Sequence, residues 1–271
     1  DGTDIRGFGG RDLIIGYEGH DLLEGGNGDD SLSGGGGIDF VEGGGGNDWI
    51  NGNDGDDVAL FGGDGEDTLR GGNGQDGLGG GVGKDVIYGN LGNDVVGGDG
   101  DADTLYGGQG DDRLSGGAGN DFLNGDRDDD TLEGNVGTDT LHGGQGNELV
   151  YGNAEADTLH GDGDADTLHG DQGADLVYGN ADADTLHGDG GADILYGGGG
   201  NDLIYGNRGD DWLHGGAGND LIYGNAGDHT LNGGADNDTL SGGAGADQFV
   251  FLAGGGADQV VDFTVGEDSL I

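Results

Sequence analysis

Gly107-Gly108-Gln109-Gly110-Asp111-Asp112-Arg113-Leu114-Ser115 and Gly197-Gly198-Gly199-Gly200-Asn201-Asp202-Leu203-Ile204-Tyr205 are two copies of one nine-residue unit. The unit runs Gly, then Gly, Asn or Asp, then any residue, then usually Gly, any residue, Asp, any residue, an aliphatic, any residue. From Asp67 to Asp247 its aspartate position recurs every nine residues, 21 times without a slip, and Asp12 to Asp57 supply six more copies in the same period. Asp4 and Asp258 flank these at spacings of eight and eleven, making 29 copies. One extra residue, near Leu60 and Phe61, separates the Asp57 copy from the Asp67 copy.

The chain has 271 residues, of which 76 are glycine and none is proline, cysteine or methionine. Its 56 acids against 7 Lys and Arg give a formal net charge of -49. Disulfides and thiolate metal sites are thereby excluded. Nucleic acid is excluded as a partner, because such binding begins with a basic footprint, and anionic membranes are disfavoured for the same reason. Apolar runs are only a few residues long, so no transmembrane segment is expected. Low hydrophobicity with high charge would by itself suggest disorder. A disordered acidic tail has no reason to keep a nine-residue beat, so disorder is expected only of the ion-free state.

The unit resembles the RTX, or haemolysin-type, calcium-binding repeat, a glycine- and aspartate-rich nonapeptide signature of calcium-binding β-rolls. The resemblance covers essentially the whole chain and rests on recurrence, since a single Gly-Gly-x-Gly-x-Asp would carry little. It implies an all-β fold, a calcium-bound parallel β-roll solenoid.

Each position of the unit has a physical reason. Six polar, glycine-rich residues make a turn, and the next three make a very short strand. The second position calls for φ > 0, which Gly adopts freely and Asn and Asp tolerate next best; Asn90, Asn153 and Asn180 alternate there with Asp99, Asp126 and Asp162. The glycine density excludes a helix. Side chains alternate along a strand, so the aliphatics, from Leu105, Leu114 and Leu123 to Ile204, Leu213 and Phe249, point inward. One turn and one strand carry the chain across a single side. Two units therefore close an 18-residue coil, and two short-stranded parallel sheets face each other across a thin core. One aliphatic per nine residues is too little apolar burial to offset the ordering of the backbone. Metal must supply the rest.

Calcium is the ion that fits, being a hard cation that takes six to eight oxygens from carboxylates and backbone carbonyls in a tolerant geometry. Turns on one edge lie two units apart, so Asp103, Asp121, Asp139, Asp157, Asp175, Asp193 and Asp211 form one column. Asp94, Asp112, Asp130, Asp166, Asp184, Asp202, Asp220 and Asp238 form the other. The same role falls upstream to Asp12, Asp21, Asp30, Asp39, Asp48, Asp57, Asp67, Asp76 and Asp85, and at the far end to Asp247 and Asp258. An ion between two stacked turns would see one Asp from each, with carbonyls filling the shell. The resemblance implies the same arrangement, up to about one ion per stacked pair of turns. Filling every gap would come close to cancelling the net charge, so folding and calcium binding should be one event. Magnesium is too strict about octahedral geometry to substitute well.

Some positions depart from the pattern. His229 and Glu148 replace the key aspartate; the sites bordering His229 should be weak or empty, whereas Glu148 can still bind. Acids replace the fourth-position glycine at Asp101, Glu155, Asp128, Asp164, Asp182 and Asp236, as extra ligands, as acceptors behind the ligands, or as tolerated neighbours. The residue after the aliphatic forms rows at every second unit, including Tyr88, Tyr106, His142, His160, Tyr178, Tyr196 and His214 on one sheet and Tyr151, His169, His187, Tyr205 and Tyr223 on the other. Cross-strand packing is the favoured reading, and a self-association face the alternative. A metal role for these imidazoles is set aside, because no carboxylate partner stands at a consistent spacing.

Residues 1–252 thus read as the roll and 253–271 as an irregular C-terminal capping coil, with Phe251, Val260, Val261 and Phe263 covering its open end. The chain reads as a segment of a longer protein. The expected function is that of a secreted, non-enzymatic module, extracellular or at the cell surface, that folds on extracellular calcium. The resemblance implies type I secretion machinery as a partner. Two further readings are a self-assembling scaffold, S-layer or adhesin segment with lateral or end-to-end contacts, and an accessory module of a secreted protease, lipase or polysaccharide-modifying enzyme. Leu, Phe, Trp and Arg113 interrupt the Thr rows and argue against ice binding.

Overall fold

The structure, a computed structural model, describes residues 2–271; Asp1, which opens the expected roll, lies outside them. Two compact units are distinguished, one running to Asp139 and one starting at Thr140. Each follows the same plan. In the first, the strand Thr104–Gln109 pairs in parallel with Val86–Leu91 and Phe122–Arg127, one coil away on either side. The strands between them, Val95–Gly100 and Arg113–Ala118, pair in a second sheet. In the second unit Leu176–Ala181 joins Thr158–Gly163 and Ile194–Gly199, while Thr185–Gly190 pairs with Leu203–Arg208 in the other sheet. Each unit is an all-parallel β-roll with two nonapeptides per coil. Among the described residues no helix is long and apolar enough to cross a membrane.

The aliphatic of each nonapeptide is the core. Leu105, Leu114, Leu123, Ile204, Leu213 and Phe249 are fully buried, while their strand neighbours alternate outward. The paired segments are longer than the three residues expected: most span six, as in Thr104–Gln109. Leu105 and Tyr106 pair with Leu123 and Asn124, the register skips Gly107, and pairing resumes at Gly108 with Asp126. The chain turns its corner without leaving the ladder, because the second-position residue takes a left-handed conformation that keeps its amide in line with the adjacent coils. Asn90, Asp99 and Asp162 do so at φ of 82°, 74° and 77°. Where that residue is glycine the space is also closed: a Cβ on Gly108 would run into the Asn90 carbonyl one coil earlier.

The extra residue of the sequence sits slightly earlier than Leu60. Ala59 and Leu60 pair with Phe40 and Val41, so Leu60 is the inward aliphatic and Val58 is the bulged insertion, pushed out into solvent. The coil absorbs it there because Val58 stands outside the ladder, between the buried Asp57 and the first paired residue, Ala59. After Gln248–Phe249 the beat loosens, yet Gln259–Val260 and Ser269–Leu270 still add to the two sheets. The Phe263 ring lies 6.2 Å from that of Phe249.

Candidate metal centres

Every regular turn aims its aspartate inward, under the corner glycine. The backbone N–H of Asp94 donates to Asp112 Oδ1 at 2.7 Å, and that of Asp112 to Asp130 Oδ1 at 2.7 Å. On the opposite edge Asp103 donates to Asp121 Oδ1 and Asp175 to Asp193 Oδ1, at 2.8 and 2.9 Å. Each carboxylate therefore spends one oxygen tying its coil to the one before. Within each compact unit the aspartates of both predicted columns are tied in this way, and so is the upstream series, as in Asp30 to Asp48 at 2.7 Å. Asp21 through Asp247 are at most 3% exposed at these positions, whereas Asp12 and Asp258, at the two ends, are only partly buried.

The second oxygen is the telling one. Oδ2 of Asp30, Asp67, Asp94, Asp112, Asp175 and Asp193, among others, is buried with no hydrogen-bond partner among the described residues. A buried carboxylate oxygen left in this state is costly. The space beside it is lined by oxygen: a Cβ built on Gly170 would stand 2.6 Å from Asp175 Oδ2 and 3.0 Å from the Gly188 carbonyl of the next coil. The same cradle recurs at Gly25, between Asp30 Oδ2 and the Gly43 carbonyl, each 2.5 Å from the would-be Cβ. Glycine at the first position of the unit thus leaves room between a carboxylate oxygen and a carbonyl oxygen. A hard divalent cation is the partner such a donor set suits.

Electrostatics point the same way. Burial pushes the carboxyls of Asp67, Asp76, Asp112, Asp193 and Asp220 up from 3.8 to about 7. Asp103, Asp130 and Asp184 go to about 8. Burial is the main cause there, opposed by the N–H donated from the preceding coil and reinforced by neighbouring carboxylates. In all three a fourth-position acid, Asp101, Asp128 or Asp182, is among those neighbours. The sequence left the part played by these acids open; the structure places their charge beside the key carboxylates. They stand at φ of 74°, 73° and 70°, where glycine is the easier residue.

The sequence model of the RTX calcium-binding nonapeptide repeat matches residues 6–228 and 230–260 in overlapping or abutting stretches. The chain belongs to this family. No curated protein matches it. RTX repeats are structural rather than catalytic, and the donor set of the turns agrees with calcium as their ion.

Two RTX positions break the column. His229 is as buried as the aspartates and keeps the ladder going, since its N–H donates to Asp247 Oδ1 at 2.9 Å. Its Nδ1 lies 3.3 Å from both the N–H and Oδ2 of Asp211, so an imidazole occupies the space beside that carboxylate. Glu148 donates its N–H to Asp166 Oδ1 at 2.9 Å.

The outer rows are largely ladders of stacked rings, as cross-strand packing requires, though Tyr196 and His214 meet edge to face at 83°. Tyr88 and Tyr106 lie 5.0 Å apart at 5°, Tyr178 and Tyr196 5.2 Å apart at 7°, and Tyr205 and Tyr223 5.3 Å apart at 11°. The imidazoles correct the sequence reading. His142 Nδ1 is 3.1 Å from Asp162 Oδ2, and His169 Nδ1 is 3.1 Å from Asp189 Oδ2. For these two histidines the spacing is the same, each aspartate standing one coil and two further positions beyond its histidine, whereas Asn180, Asn207 and Gly234 stand there for His160, His187 and His214. Nonapeptide alignment alone hides it, because the carboxylate sits at the second position of the unit, where it reads only as a turn residue. Burial also lowers His160 and His187, helped by the neighbouring imidazole and opposed by the nearby carboxylate.

Proposed function

We propose that this chain is a secreted, calcium-dependent structural module whose aspartate columns hold calcium between successive turns. Asp21 through Asp247 at the key positions would supply carboxylate oxygens, and the inward glycines would supply carbonyls from the next coil. Asp12 and Asp258 would close the columns at the two ends, and residues 253–271 would cap the roll. Calcium, when bound, supplies the positive charge that the buried carboxylates lack. The single observation that carries the reading is the buried, unpartnered Oδ2 repeated coil after coil beside a carbonyl oxygen. A cell exporting such a chain where free calcium is scarce would pass it unfolded, through type I machinery as the family implies, and the chain would order itself outside. The ring rows stack along each sheet, which favours a stabilising module over an assembly face.

Far-UV circular dichroism through a calcium titration tests this. Strand content should rise from a coil baseline in EGTA to a plateau near millimolar calcium, with magnesium failing to replace it. Full strand content in excess EGTA at neutral pH would defeat the proposal.

A further inference from the structure

We propose two surface sites for a divalent transition-metal ion, one formed by His142, His160 and Asp162 and one by His169, His187 and Asp189. Within each group the ligand atoms lie within 4.8 Å of one another. These sites are separate from the aspartate columns: the former stand on the outer faces of the sheets, the latter inside the turns.

Three observations converge on them. First, the chemistry is that of nitrogen-preferring ions. Two imidazoles and one carboxylate suit zinc and its neighbours, whereas calcium takes oxygen. Second, the groups are already arrayed. The His142 and His160 rings are 4.5 Å apart at 1°, and those of His169 and His187 are 4.4 Å apart at 2°. Tetrahedral bonds of about 2.0–2.2 Å bring ligand atoms to roughly 3.3 Å of each other. The stacked rings hold their in-plane lone pairs side by side, so binding tilts each half-buried ring toward the ion, leaving a fourth position for water.

Third, each carboxylate is held from behind. Asn180 Nδ2 donates to Asp162 Oδ1 at 3.1 Å, and Asn207 Nδ2 donates to Asp189 Oδ1 at 3.0 Å. In each case Oδ2 is left facing the histidine. A fixed outer partner of this kind orients a ligand and raises affinity. All four components, two histidines, one aspartate and one asparagine, recur three nonapeptides further along the chain. Three is an odd number, so the second site falls on the opposite sheet. A stacked ring ladder needs no carboxylate, whereas two imidazoles with one carboxylate make a three-ligand set of the kind zinc takes.

The test titrates ZnCl2 into the whole chain in excess CaCl2, with the fold checked by circular dichroism before zinc is added. Calorimetry should count two zinc ions per chain. Imidazole NMR signals of His142, His160, His169 and His187 should shift, while those of His20, His214 and His229 stay. His160→Gln should remove one ion, His187→Gln the other, and the double variant both. Asp162→Asn, which keeps both rings and the side-chain shape, should also lose the first ion. Asn180→Ala should weaken that site about tenfold. Zinc uptake that survives the double His variant in a folded chain, or histidine signals that do not move, overturns the proposal. Because the folded state is verified independently, this outcome does not depend on how calcium is held.

Discussion

Acid should do for this chain part of what calcium does. The perturbation is a pH titration in EGTA, from 8 down to 5. Carboxyls such as Asp103, Asp130 and Asp184 stand at about 8 in the folded, metal-free chain, against 3.8 ordinarily. Between those values the folded state binds more protons than the unfolded one, so stability falls as pH rises and returns as pH falls. At ~1.36 kcal/mol per pH unit, lowering the pH from 8 to 5 restores on the order of 3–4 kcal/mol through Asp103 alone. A group near 6, such as Asp94, returns about 1–1.5 kcal/mol over the same range. Neighbours in a column share the benefit, so the sum over a column is less than additive. Far-UV circular dichroism at constant ionic strength should therefore show strand content growing toward pH 5 in EGTA. In millimolar calcium the strand signal should already be present at pH 8. Proteins whose carboxylates are paired with cations behave in the opposite sense. A chain that loses strand on acidification in EGTA, or that ignores pH, would show that the buried carboxylates are not the charges opposing the fold.

Single substitutions sharpen the point. Asp103→Asn should act with opposite signs: it removes a buried charge and so favours strand in EGTA near neutral pH, yet raises the calcium midpoint measured by the same spectra. Gly25→Ala puts a methyl 2.5 Å from both Asp30 Oδ2 and the Gly43 carbonyl, at a backbone conformation alanine can adopt. It should weaken calcium uptake by calorimetry without the strain of a left-handed residue. His229→Asp restores a carboxylate beside Asp211, and elemental analysis should find at least one more calcium per chain. Leu105→Ala, in a core one side chain thick, should lower stability in calcium by about 2–4 kcal/mol in urea titration.

Much of this molecule is legible without coordinates. The nine-residue beat places the inward row, the two-unit coil and the two columns, because side chains alternate along a strand and one unit crosses only one side, while the roll itself is read from the resemblance to the RTX repeat. The left-handed second position is readable too, from Asn90 and Asp99 standing where glycine otherwise does. Spacing could not reveal how each carboxylate divides its two oxygens. That depends on the distance between coils, which brings the Asp94 N–H to Asp112 Oδ1 and leaves Oδ2 facing the Gly125 carbonyl. Nor could it place the bulge at Val58, or join His142 to Asp162 across two strands. Those outcomes belong to register, where an offset of two residues between neighbouring coils decides which side chains meet.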